Sequence, residues 1–436
     1  MAWRVAFTLV IAGWSLLLLA WLILQWGIVP RVEQWKPQIE QRASVALGVP
    51  VSIGAIRVRS SGWIPLIELD DVLLAPRRRD DGGNAEALRL PRVHAALSAR
   101  SLLGLELRFE QLHVEGAVLE VRRHADGRIF VGGIEWRSGG QTEGADHGGT
   151  EWLLAQHEVV VRQGQVLWID ELRGAPPLAL SALDLVLRNG LRRHDIRIDA
   201  TPPAGVGERF TLMGRFTQPL LAQRADWRRW SGSAYANLPR ADAAALRPLL
   251  PALPFQVDGG HGALRAWVEL HDGQPQAAQI DLALQDLALR FAGRDAALQI
   301  QQLQGRVSAE RDGRLLRLAA APLAFHSGGI DWPATRLTVA LRERDTVAAP
   351  AAGASAPASP FDGGEFSADR IDLASLARLA GQLPLGTAVE NLLAELAPSG
   401  QLKDLSARWE GPLDAPQRYQ LKGQAVALSI AAAPSA

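Results

Sequence analysis

Nine histidines, two adjacent aspartate pairs and one Gly-x-Gly stretch are the residues of this chain most able to do chemistry, and their spacing argues against it. The histidines are His94, His113, His124, His147, His157, His194, His261, His271 and His326. No two form His-x-His or His-Glu-x-x-His, the spacings that bring two imidazoles to one zinc ion. Most sit beside Arg or Asp in strand or turn contexts, where solvated surface histidines are expected. Asp70-Asp71 and Asp80-Asp81 could act as an acid/base pair. The first lies in a strand-like stretch and the second follows Arg77-Arg78-Arg79, so charged surface is the expectation for both. Gly205-Val206-Gly207-Glu208-Arg209-Phe210 starts like a dinucleotide fingerprint. Phe210 stands where a third glycine should let a helix approach, and Pro202-Pro203 precedes it. No nucleophile elbow and no phosphate-binding loop occur. The absence of cysteine excludes disulfides, thiolate metal sites and a Cys nucleophile. The expectation is a protein that is not an enzyme and carries no cofactor or catalytic metal.

Composition narrows the partners. Lys plus Arg and Asp plus Glu both number 46, giving a net charge of zero. Nucleic acid is therefore not an expected partner, because phosphate binding needs a basic surface. Lys36, Lys403 and Lys422 are the only lysines, and we read the arginine excess as base-composition bias.

The positioning elements begin with a run that holds no charge from Val5 to Pro30. From Trp3 to Trp26 a helix rises roughly 34 Å, about the hydrocarbon thickness of a bilayer. Trp3 and Trp26 then fall at the interfaces, with Trp14 and Trp21 between them. A cleaved signal peptide would have an apolar core of ~7–15 residues and a small-x-small exit. The exit here is Gln25-Trp26-Gly27-Ile28-Val29-Pro30, so an uncleaved membrane anchor over 1–30 is expected. Local charge does not orient it: Arg4 flanks one end, and Arg31, Lys36 and Arg42 the other.

After the run, 32–47 reads as a helix closed by Gly48 and Pro50. Beyond Val49 the pattern is mostly strand. Leu105, Leu107 and Phe109 alternate with charged residues, as do Leu183, Leu185 and Leu187 with their neighbours. The same period recurs at Ile280, Leu282, Leu284 and at Leu337, Val339, Leu341. Asp126-Gly127, Asp272-Gly273 and Asp312-Gly313 sit where hairpin turns belong, so consecutive antiparallel hairpins are the simplest reading. Short helices are expected at 152–157, 242–250, 373–383 and 388–396. Segments 137–150 and 347–360 look unstructured, the second being Ala/Pro/Ser-rich.

A repeat lies at an offset of 130. RADAAALRPLLPALPF at 240–255 matches RIDLASLARLAGQLPL at 370–385 in seven places, including Asp242/Asp372 and Leu249/Leu379. Each copy reads as a strand, an Asp-capped helix, and a Gly-x-Leu that opens a new strand (Gly262, Gly400). A long sheet with one apolar face must close as a barrel, pack on another layer, or curl into a trough. The bilayer tether, the scarcity of helices and a lining of Leu, Val and Ala favour the trough.

Several stretches resemble the YhdP-type AsmA-like family. They are 28–54 (IVPRVEQWKPQIEQRASVALGVPVSIG), Leu66-Ile67-Glu68-Leu69-Asp70-Asp71-Val72, the segment from Asp126-Gly127-Arg128-Ile129-Phe130 to Ile134, and the helix and Leu-Pro at 372–384. The resemblance implies a mainly β, chorein-like fold. It would comprise an N-terminal transmembrane helix and then an elongated, twisted antiparallel β-groove of repeated strand modules with short helices. It implies a cell inner-membrane location, single-pass, with the bulk of the chain in the periplasm. The expected function is a passive conduit for phospholipid between inner and outer membranes. The alternative is a periplasmic scaffold for outer-membrane assembly that carries no lipid. Expected partners are the inner membrane, phospholipid acyl chains, and periplasmic or outer-membrane proteins.

On this reading 1–30 is the anchor and 31–136 a membrane-proximal helix with the first β module. A flexible loop at 137–150 precedes groove modules over 151–346. A linker at 347–364 leads to a further groove repeat over 365–436 that looks truncated, the whole chain resembling an amino-terminal portion of longer family members. The lining residues would be Leu105, Leu107, Phe109, Leu183, Leu185, Leu187, Ile280, Leu282, Leu284, Leu337 and Val339.

Overall fold

The computed structural model describes residues 33–61, 64–74, 88–97, 109–132, 134–136, 148–247, 255–344, 361–412 and 417–431, with Trp3, Arg4, Phe7, Trp14 and Ser15. Those five are helical and exposed where classified. The rest of the apolar run, including Trp21 and Trp26, lies outside the described residues, as do Leu105 and Leu107. Among the described residues no helix is long and apolar enough to cross a membrane.

The fold is mainly β, with twenty strands and a few short helices among the described residues. It divides into two compact units. Unit 1 takes residues up to Pro203 plus Met213–Trp230; unit 2 takes Ala204–Leu212 and Ser231–Ala436.

Unit 1 opens with α1 (Lys36–Leu47), which has Pro37 in its first turn and Gly48 at its C-cap with φ 71°. Both residues stop or start helices for backbone reasons. Strands β1 (Val51–Ser61), β2 (Ile64–Leu74), β3 (Leu88–Leu97) and β4 (Phe109–Glu115) follow as antiparallel neighbours. Gly116, φ 68°, bends the chain into β5 (Val118–Arg123), and the Asp126-Gly127 turn leads to β6 (Ile129–Val131) and β7 (Ile134–Trp136). Here the simple hairpin reading fails. β8 (Glu158–Asp170) runs parallel to both β4 and β5, after a crossover carrying α2 (Gly148–Ala155). A parallel neighbour requires such a crossover, and α2 starts inside the segment expected to be loop. β9 (Ala175–Asn189) and β10 (Arg193–Thr201) complete the unit's antiparallel pairs.

Cross-strand partners put one apolar row through seven strands: Ile56, Leu69, Val93, Val114, Val161, Leu185 and Ile198. Helices α1 and α2 lie on this face through Ile39, Ala43, Leu47, Trp152 and Leu154, and the face is a closed core.

A polar network fastens α2 to the sheet. Gln156 accepts from the Phe109 backbone N–H at 2.7 Å and donates to Trp152 O. Asn189 donates to Gln156 O, which turns its own Oδ1 toward His194 Nδ1, 2.7 Å away. His194 Nε2 lies 3.1 Å from the Gln218 side-chain amide, and its ring stacks on Trp230 at 4.3 Å. Burial pushes the His194 pKa below its ordinary value. The unfolded chain therefore takes up more protons than the folded one just below about pH 6.5, and stability must fall as pH drops through that window. Thermal unfolding between pH 7 and 5 should show this slope, and His194→Gln should flatten it.

Unit 2 is a meander. Strands β12 (Ser231–Asp242), β13 (Phe255–His271), β14 (Gln274–Phe291), β15 (Leu298–Asp312), β16 (Leu315–Ser327), β17 (Ile330–Glu343), β18 (Phe361–Asp372), β19 (Ser399–Glu410) and β20 (Arg418–Ser429) each pair antiparallel with the next. β11 (Phe210–Thr217) lies across the division of the two units in sequence. β18 opens at Phe361, inside the stretch read as linker over 347–364; residues 345–360 lie outside the described set.

The sequence repeat is a structural one. Asp242 caps α3 (Ala243–Leu246) by accepting from Ala245 N at 2.7 Å. Asp372 caps α4 (Leu373–Leu379) through Ser375 N at 2.8 Å. The extra residues of the second copy form α5 (Thr387–Leu396), with Gly386 at its N-cap. Asp372→Ala should cost about 1 kcal/mol, measurable as a lower midpoint in urea unfolding.

Candidate apolar binding face

In unit 2 the register turns short alternations into long rows. Ala234, Val268, Ala278, Ala309, Leu318, Val339, Phe366, Ala407 and Leu421 are successive cross-strand partners from β12 to β20. A second row joins Ala236, Ala266, Ile280, Val307, Ala320, Leu337, Ala368 and Leu405. Nine strands at ~4.8 Å spacing make such a row roughly 40 Å long.

The opposite face is polar. One of its rows reads Tyr235, Trp267, Gln279, Ser308, Ala319, Thr338, Ser367, Ser406 and Lys422. Cross-strand ion pairs hold it, such as Arg306 on Asp281 at 2.6 Å and Arg317 on Glu310 at 3.5 Å. The Arg306 hydrogen bond keeps the Asp281 carboxyl below the usual carboxylate range. Opposite charges directly across a ladder stabilise that face and favour water over apolar ligand there.

Burial differs along the strands. At one end Val257, Leu287, Ile300, Trp332, Ile371 and Leu379 form a closed cluster, packed with Ala243 of α3 and Leu376 of α4. Ala368 belongs to that cluster, and Leu337, Phe366 and Leu405 pack on it. Toward the other end the rows stay half-buried: Val268, Ala278, Val307 and Val339 are partly exposed and Leu318 is 39% exposed. Edge strand β20 is exposed along its length, Leu421 included. A monomer rarely leaves so long a contiguous apolar face to water without a use for it.

Paired backbone kinks keep the apolar side constant. In β14 and β15, Gln285 pairs with Gln302 and the next partners are Leu287 and Ile300. Asp286 takes φ 50° at the skip, and the apolar phase moves from Leu282 and Leu284 to Leu287 and Leu289. The same step occurs at Asp71 (φ 50°) in β2 and at Asp404 (φ 50°) in β19. Aspartate tolerates the left-handed region better than most side chains. The Asp70-Asp71 pair is thus a strand kink: Asp70 pairs with Arg57, and Asp71 with Arg89 at 2.7 Å.

The expected lining residues divide. Leu187 is buried in the unit 1 core, Leu185 and Phe109 pack against that core, and Leu183 is buried in the same strand as Leu187. In unit 2, Leu282, Leu284 and Leu337 pack against the closed cluster, and Ile280 and Val339 lie partly exposed on the apolar face beyond it. Ala234, Val268, Val307, Leu318, Phe366 and Ala407 were missed. The Asp272-Gly273 turn carried the needed signal, because it sets which residue of β14 faces which of β13. Among the described residues no group of His, Asp or Glu is arranged to hold a metal ion.

Among known families, the model described as YhdP protein matches residues 1–435. The chain belongs to the YhdP family. No curated protein matches it significantly. The match spans both units and the two copies of the capped-helix repeat.

Proposed function

We propose that the chain is a membrane-anchored lipid-transfer protein of the periplasm, a passive conduit whose apolar face holds phospholipid acyl chains. The apolar rows of unit 2 carry this reading: they are long, largely aliphatic, half-buried toward one end of the strands and opposed by an ion-paired face. Tails would lie on the Leu318 side, and head groups would stay at the solvent edge. Family membership supports the lipid-transport class. No nucleotide motif is present, so direction would come from a partner or a concentration gradient. The uncharged run from Val5 to Pro30 supports the anchor.

A second reading, a scaffold that carries no lipid, is favoured by the closed face of unit 1. Native mass spectrometry of the purified full chain separates the two. The conduit reading expects phospholipid bound in stoichiometric amount, whereas the scaffold reading expects bare protein.

A further inference from the structure

Unit 1 presents an apolar and basic surface that the groove reading leaves unused. The segment from Gln218 to Trp230 is pinned at both ends and at its middle. Gln218, Ala225 and Trp230 are buried, and Glu151 of α2 accepts from the backbone N–H of Ala225 at 2.9 Å. The pinning makes Leu220 and Leu221 project, 75% and 98% exposed. Trp227 is 44% exposed, with the Arg228 guanidinium over its ring at 5.2 Å. The β9–β10 hairpin adjoins it: Gln218 N donates to Arg192 O at 2.9 Å, and Arg192 Nε donates back to Gln218 O. That hairpin carries Leu191, 81% exposed. Across 190–193 and 219–229 there are five arginines and one acid, Asp226; Arg193 is paired with Asp195 at 2.9 Å, so the surplus rests on Arg192, Arg224, Arg228 and Arg229.

From this arrangement we infer that the loop seats on an anionic bilayer surface, Leu220, Leu221 and Leu191 entering the acyl boundary. Arginine over tryptophan suits that interface, since the ring sits at head-group level and the guanidinium reaches lipid phosphate. Exposed leucines without the arginines would suit any apolar partner; the charge selects a negative one. The loop's place in the fold agrees with this. α1, the helix that follows the apolar run, packs on α2, and α2 holds the loop through Glu151. This inference rests on the membrane-anchored reading but not on lipid carriage.

The absence of cysteine makes the test clean. The full chain bearing Leu221→Cys is labelled with an environment-sensitive NBD dye. It is reconstituted in vesicles of phosphatidylethanolamine and phosphatidylglycerol, or of phosphatidylcholine alone. NBD emission should rise roughly twofold or more and be quenched by bromolipid in the anionic vesicles only. A label at Gln420→Cys, on exposed β20, should stay hydrated. Adding Arg228→Glu and Arg229→Glu to the Leu221→Cys chain should abolish the response. A label at 221 that stays hydrated in anionic vesicles overturns the inference and points to a protein partner for the loop. An equal response in phosphatidylcholine overturns its electrostatic part. Flotation of the chain with vesicles reports the anchor separately, and co-purified lipid reports the groove.

Discussion

Leu318→Asp should empty the apolar face of lipid while leaving the fold intact. Leu318 stands in the middle of the longest row, partnered by Ala309 and Val339, and is 39% exposed. Its exposure lets a carboxylate reach water in the unoccupied protein, so the fold loses little, about 1 kcal/mol or less. With acyl chains over it the same carboxylate would be desolvated without a partner, at a cost of several kcal/mol. Bound phospholipid per chain should then fall more than about tenfold, since ~1.4 kcal/mol is already tenfold. Arg317→Asp, one residue along and on the polar face, should leave bound lipid unchanged.

Gly262→Val should have the largest effect on stability. Gly262 has φ 151°, and a Cβ there would stand 2.1 Å from Ala283 O and 2.8 Å from Leu284 Cα in the neighbouring strand. Both obstacles are backbone, so β13 and β14 would have to separate locally. The combined strain and lost ladder bonds should cost about 3 kcal/mol or more. Gly400, in the second copy of the repeat, repeats the geometry with φ 102° and Ala427 O at 2.4 Å from the same ideal Cβ. Urea unfolding that shows Gly262→Val within about 1 kcal/mol of the parent would contradict this packing.

Much of this architecture could be read from the residues. Period-2 alternation gave the strands, Asp-Gly gave three hairpins, and the repeated Asp gave two helix caps. All of these are local signals, encoded within a few residues of the structure they specify. The parallel β4–β8 and β5–β8 pairs were not legible, because a crossover is set by which distant face needs covering. Nor was the division of the lining residues. Leu187 and Ile280 have the same alternating context, yet the first is closed in a core on which α1 and α2 pack. The strand phase was readable in hindsight. Polar doublets such as Gln285-Asp286 and Lys403-Asp404 mark where the apolar side moves over by one residue. Asp70-Asp71 looks like chemistry by composition and is a kink by geometry.

One face of the unit 2 sheet, and not the other, is expected to carry lipid. Photo-crosslinking tests it residue by residue, with benzoylphenylalanine placed at Ile280 or Leu318 on the apolar rows and at Gln279 or Ser308 on the polar one. Phospholipid adducts should form at 280 and 318 and none at 279 and 308. Adducts at neither pair, or equally at both, would contradict one-sided carriage.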